Sequence, residues 1–141
     1  MKYVVAVVVL AFAAIALPNV ITARNRSAQK RTMADMRTIA TAWEARATDR
    51  NTYLVGPPGG VSYDELRRVL EPKYIKHLPR DDGWGNPFIL FSSDQEYSVR
   101  SIGGDHRMDP RTGPGATTDF DCDILYSNGT FVFYPEGVCN G

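Results

Sequence analysis

Residues 3–17 read YVVAVVVLAFAAIAL, an unbroken apolar run that Pro18-Asn19 interrupts and Val20-Ile21-Thr22-Ala23 resumes. From Tyr3 to Ala23 there are 21 residues without a charge. As one helix they would span about 31 Å, matching the roughly 30 Å hydrocarbon core of a bilayer. Arg24, Arg26, Lys30 and Arg31 follow at once, a basic cluster suited to a headgroup surface. The helical pattern does not stop there. Met36, Ile39, Ala40, Trp43 and Ala47 fall on one face of a continuing helix, and no Gly or Pro occurs between Ala23 and Arg50. The first strong breaker is Gly56-Pro57-Pro58-Gly59-Gly60. The spacing therefore predicts a single helix over about residues 2–53, roughly 75 Å long. Its first half is apolar all round and can be buried only in lipid or against other copies of itself. Its second half is amphipathic and needs one apolar groove. Pro18 lacks an N–H and crowds the preceding turn, so a kink or local melting is expected there.

A cleaved secretory signal is the competing reading of the same stretch. Lys2 would be its basic start, residues 3–17 its apolar core, and Ile21-Thr22-Ala23 its cleavage site. The unbroken helical patterning past Ala23 argues against it. The chain thus divides into an apolar half-helix, residues 1–23, and a globular part, residues 24–141.

The chain has 141 residues, a length that fits one domain and excludes a multidomain enzyme, a TIM barrel or a two-lobed kinase. Its 16 basic and 16 acidic side chains leave no net charge, which argues against a nucleic-acid partner. With 43% hydrophobic and 23% charged residues it is not globally disordered. Charge is unevenly placed. Residues 1–50 carry eight basic and three acidic side chains, and residues 51–141 carry eight basic and thirteen acidic. The mean hydropathy of −0.27 averages a greasy start with a polar remainder.

In the second part, Ser62-Tyr63-Asp64-Glu65 reads as a capping box opening a short helix that stops before Pro72. Phe88–Phe91 and Glu96–Ile102 read as strands joined by a turn at Ser92–Gln95. Ile124–Tyr126 and Thr130–Tyr134 are two more, around Ser127-Asn128-Gly129, and Asn-Gly is a strong hairpin signal. The expected class is α+β: a long N-terminal helix packed on a small antiparallel sheet of three or four strands. The sheet's apolar face would cover the Met36–Trp43 stripe. The stretch between Gly103 and Ile124 reads as too irregular for a strand.

That stretch holds Asp105, Asp109, Asp119, Asp121 and Asp123. Five carboxylates so close repel one another unless they are solvated or neutralised by a cation. Hard oxygen ligands at flexible spacing suit Ca²⁺, which takes about six to eight of them. The pattern is not an EF-hand, and a solvated acidic loop is the alternative. Cys122 and Cys139 are the only cysteines, and in an exported protein a lone pair reads as a disulfide. Two buried thiols are the alternative. His77 and His106 are the only histidines, and no serine sits in a nucleophile-elbow frame. No glycine-rich phosphate loop precedes a helix. Nothing here points to an enzyme.

An apolar helix with a proline near its far end (AAIALPN), an amphipathic extension and a C-terminal β domain, in that order, resemble type IV pilins and the pseudopilins of type II secretion. LPRDDGWGNPF (78–88) resembles the LPxDPWGxPY motif of the major pseudopilin. YSVRSIGGD (97–105) is similar to its Y-x-L-x-S-x-G-x-D segment, and DCDI (121–124) to its D-x-D-I segment. The resemblance implies a type IV pilin-like fold and a calcium ion in the loop. Asp105, Asp121 and Asp123 would be its side-chain ligands, with the backbone carbonyl of Ile102, and Asp109 and Asp119 would be second in rank. The loop is longer than is usual in the family, and the cysteine pair is an addition to its pattern.

It further implies a filament subunit that turns over no substrate. Residues 3–23 would wait in a bacterial inner membrane, the domain in the periplasm, until the helices pack as the core of a periplasmic or extracellular homopolymer. Its partners would be copies of itself, minor pilins and the secretion or pilus machinery. A major pilin of a surface pilus is the neighbouring possibility. A soluble secreted calcium-dependent binding domain with a cleaved signal is the possibility from another class. Family members carry a short basic leader and a glutamate near the mature N-terminus that pairs with a neighbour's terminal amine, and the terminal amine is methylated. Alignment on Pro18 puts that glutamate at about Met1. The resemblance therefore implies either that the natural chain starts upstream or that this subunit assembles without the pair.

Overall fold

The 49 residues from Lys2 to Arg50 form one α-helix, α1, in a computed structural model that describes residues 1–109, 115–117 and 120–135. The helix passes through Pro18 without interruption, so the proline does not melt it. Its missing N–H leaves the Ala14 carbonyl without the usual donor, and one residue on the Asn19 side-chain amide donates to the Ile15 carbonyl at 3.4 Å. At the other end Asn51 turns left-handed (φ 57°) and its N–H donates to the Ala47 carbonyl at 2.7 Å. Asparagine tolerates this conformation better than most residues. It ends α1 ahead of the boundary expected near residue 53.

Seven further elements follow: β1 (Gly59–Val61), α2 (Tyr63–Leu70), β2 (Ile89–Ser92), β3 (Tyr97–Ser101), β4 (Gly115–Thr117), β5 (Ile124–Ser127) and β6 (Thr130–Pro135). The described strands form one six-stranded sheet in the order β1-β2-β3-β5-β6-β4. All neighbours are antiparallel except β4 and β6, which run parallel. The expectation of a purely antiparallel sheet of three or four strands is thus corrected to a mixed sheet of six. The two additional strands are three-residue edges with no alternation of their own. β1 sits inside the glycine-rich breaker, and β4 inside the stretch read as irregular. Each is defined by the neighbour it pairs with, β2 and β6 respectively.

Local chemistry explains the remaining elements. Ser62 caps α2, its Oγ accepting from the Glu65 N–H at 3.2 Å while Glu65 Oε2 accepts from the Ser62 N–H at 3.0 Å. Asn128 and Gly129 both take positive φ (48° and 90°), as a type I′ turn between β5 and β6 demands. The sheet's inner face brings Leu90, Tyr97, Val99, Ile124 and Phe131 onto Met36, Ile39, Ala40 and Trp43 of α1, with Leu66 and Leu70 of α2 in the same core. All five residues of the expected stripe are buried, and burial extends back along α1 to Ala28 and Met33. Tyr97 stacks at 5.1 Å from Trp43 and 5.0 Å from Tyr53. The Trp43 indole donates to the Tyr53 carbonyl at 2.8 Å.

The two halves of α1 behave oppositely. From Tyr3 to Ile21 the large apolar side chains are between 47% and 86% exposed. This helix is long and apolar enough to cross a membrane.

Candidate functional site

The loops around the expected cation site are organised by a residue that was not among the candidates. Asp82, from the stretch LPRDDGWGNPF, is buried and accepts four kinds of donor: the Trp84 N–H (2.9 Å), the Asn86 N–H (2.9 Å), the Asn86 side-chain amide (3.0 Å) and the Ser101 hydroxyl (2.6 Å). Asn86 passes the connection on. Its amide also donates to the Gly103 carbonyl at 2.9 Å, and its side-chain oxygen accepts from His106 Nδ1, which must therefore carry the proton. A signal for this hub existed in the sequence: an aspartate and an asparagine four apart around two glycines, where a carboxylate can cap its own turn.

Gly103 and Gly104 let the next loop press against residues 120–122. A Cβ on Gly103 (φ 76°) would lie 2.6 Å from the Asp121 carbonyl oxygen and 2.7 Å from that of Cys122. One on Gly104 would lie 3.1 Å from Asp121 Oδ1. The Gly104 N–H donates to the Phe120 carbonyl at 2.9 Å.

The expected ligands occupy distinct settings around this contact. Asp105 is exposed and its Oδ1 accepts from the Arg107 N–H at 2.9 Å. Asp121 lies beside Gly104. Asp123, only 1% exposed, gives Oδ2 to Arg100, whose Nε and Nη2 both approach to 2.6 Å. Arg100 Nη2 also donates to the Asp109 carbonyl at 2.8 Å. Burial pushes the Asp123 carboxyl above its ordinary value, and the Asp109 backbone and then the Arg100 guanidinium pull the other way. Ile102 lies between β3 and the Gly103 turn, on the chain path that leads to this loop. Asp119, one of the two second-rank ligands, and Cys139, the expected disulfide partner of the half-buried Cys122, lie outside the described residues.

Among the described residues no three His, Cys, Asp or Glu side chains converge closely enough to hold a metal ion. Sequence reading did not foresee that Arg100, from the neighbouring strand, neutralises Asp123. The donor chemistry nevertheless suits a hard cation. Asp123 Oδ1 is buried with no hydrogen-bond partner among the described residues, and oxygen atoms of residues 120–122 cluster near Gly103 and Gly104.

No family model, curated protein or solved structure matches this chain.

Proposed function

We propose that the protein is a structural subunit of a type IV pilus-like filament, of the kind that forms the pseudopilus of type II secretion. One observation carries the reading: a single unbroken helix whose far half is the spine of a folded domain and whose near half is apolar on every side and uncovered. Twelve large apolar side chains stand exposed from Tyr3 to Ile21. At roughly 1.5–3 kcal/mol each, keeping them in water would cost more than the entire stability of an ordinary domain. They need lipid first and sister helices afterwards. A subunit built this way can leave the bilayer only by exchanging lipid contacts for copies of itself, which is polymerisation. In that role the subunit would sit in a bacterial inner membrane with its domain in the periplasm, and growth of the filament would push cargo outward. A surface pilus subunit would use the same physics, and gene neighbourhood separates the two.

Calcium is the cation we propose for the loop, with Asp123 Oδ1 and Asp121 as its anchors and Asp105, Asp109, Asp119 and the Ile102 carbonyl as the further donors the resemblance implies. Its chemistry would be purely structural, tying residues 103–104 to 120–123. The full chain in detergent should melt several degrees higher in calcium than in chelator, as for any ligand bound only by the folded state. Equal midpoints would remove the cation.

The filament reading is tested by the intact mass of the mature protein from its host. A mass that retains residues 3–23, with an added methyl on the terminal amine, is expected. A chain starting near Arg24 would make the apolar stretch a cleaved address and leave a soluble secreted binding domain instead.

A further inference from the structure

The turn formed by residues 81–85 is clamped to α1 just beyond the apolar half. The Gly83 N–H donates to Thr32 Oγ1 at 2.8 Å, and the Trp84 indole donates to Asn25 Oδ1 at 3.2 Å. Gly83 lies so close that a Cβ there would meet the Ala28 carbonyl oxygen at 2.2 Å. Between helix and turn runs a groove of about 570 Å³, whose walls include Ile21, Arg24, Asp81, Trp84 and His106.

Helix geometry fixes the depth of this groove. Asn25 is two residues past Ala23 and Ala28 five, about 3 and 7.5 Å along the axis. The polar layer on each side of a bilayer is roughly 5–8 Å deep. If residues 3–23 span the hydrocarbon, the Trp84 turn has no room to stand clear of the headgroups. Its residues suit that layer. Tryptophan, with an apolar ring and one N–H, concentrates at membrane interfaces, and arginine reaches back to phosphates. Asp82 lines the groove too, but its oxygens are taken by four donors within the turn. Arg31 is engaged by Asp35 at 3.6 Å. The exposed Arg24 and the half-buried Asp81 remain as opposite charges on one groove.

We propose that the Trp84 turn is the domain's foot on the membrane, and that the groove seats the headgroup of a zwitterionic phospholipid, its phosphate toward Arg24 and its ammonium toward Asp81. This rests on the spanning reading of residues 3–23. The foot would hold the domain in one orientation on the bilayer before assembly and would be released when the subunit leaves the lipid.

The chain contains two tryptophans, Trp84 and the buried Trp43, so Trp43→Phe isolates the reporter. The full chain carrying it is reconstituted into phosphatidylethanolamine–phosphatidylcholine vesicles and recovered by flotation. Trp84 emission should shift to the blue relative to detergent. Lipids brominated high on the acyl chain should quench it more strongly than lipids brominated near the chain end, and Arg24→Gln should reduce that quenching. Should Trp43→Phe fail to fold, the difference between the natural chain and Trp84→Phe gives the same signal. A floating chain whose Trp84 is neither shifted nor quenched would overturn the foot while leaving the spanning helix intact. A chain that does not float would overturn both. Inorganic phosphate added to the detergent-solubilised chain should leave the emission unchanged, and a shift there would replace the lipid surface by a free-phosphate site.

Discussion

Two buried side chains set the strongest single-residue expectations. Asp82 gathers the Trp84 and Asn86 amides and the Asn86 side chain from its own turn, and the Ser101 hydroxyl from the end of β3. Asp82→Ala would orphan several of these donors at once. Hydrogen bonds to a charged acceptor are worth about 1.5–3 kcal/mol each, so a loss of about 3 kcal/mol or more is expected in denaturant unfolding. A change under about 0.5 kcal/mol would mean that water replaces the carboxylate freely. Tyr97 makes a different kind of claim. Burial, followed by its hydrogen bond to Glu44, pushes its hydroxyl far above the ordinary tyrosine range. The folded chain then keeps a proton that the unfolded chain gives up near about pH 10. More protons are bound in the folded state above that pH, so stability is flat below it and declines as pH rises further. Tyr97→Phe should lower stability at neutral pH, because Glu44 loses its donor, yet soften the alkaline decline. Urea midpoints measured on both sides of about pH 10 would reveal whether the slopes differ.

At the scale of elements, what was legible in the sequence was what is locally encoded. The Met36–Trp43 stripe, the Ser62 capping box and the Asn128-Gly129 hairpin each depend on residues a few positions apart, and each is found where expected. β1 and β4 were not legible because three-residue edges carry no period and exist only through β2 and β6. The acidic loop was legible only in part. Its carboxylates were visible, but the Arg100 guanidinium on Asp123 Oδ2 was not, because the pairing of β3 with β5 brings it across. Asp82 was not among the candidates: its turn with Asn86 is local, but the Ser101 hydroxyl that completes the hub reaches it only in the folded sheet. The stripe yields a graded test. Trp43 and Met36 have no exposed surface, so Trp43→Ala should cost about 3–5 kcal/mol and Met36→Ala about 2–5 kcal/mol. Thr38 and Thr41 face solvent one turn away, and alanine there should change stability by under about 0.5 kcal/mol. Equal effects on both faces, read from urea unfolding, would mean that α1 does not pack in this register.

On the scale of the whole molecule, α1 is one unbroken helix with a solvent-insoluble end and a domain-bearing end. The domain's stability and the helix's appetite for lipid are therefore separable properties of one element. Ala13 lies at the midpoint of the uncharged stretch and is exposed, whereas Ala45 is exposed on the amphipathic half. Arginine at a bilayer centre costs about 2.5–3.5 kcal/mol on the insertion scale, a shift in partition of about a hundredfold or more. It would also sit unpaired among sister helices in a filament core, where no water reaches it. Ala13→Arg should leave the melting of the domain unchanged, because nothing it touches belongs to the core. It should also deplete the subunit from the membrane fraction and abolish filaments seen by electron microscopy. Ala45→Arg adds the same charge and the same bulk on the polar face, and should spare membrane retention. Filaments that form normally from Ala13→Arg would remove the apolar half from the assembly and return it to the role of an address.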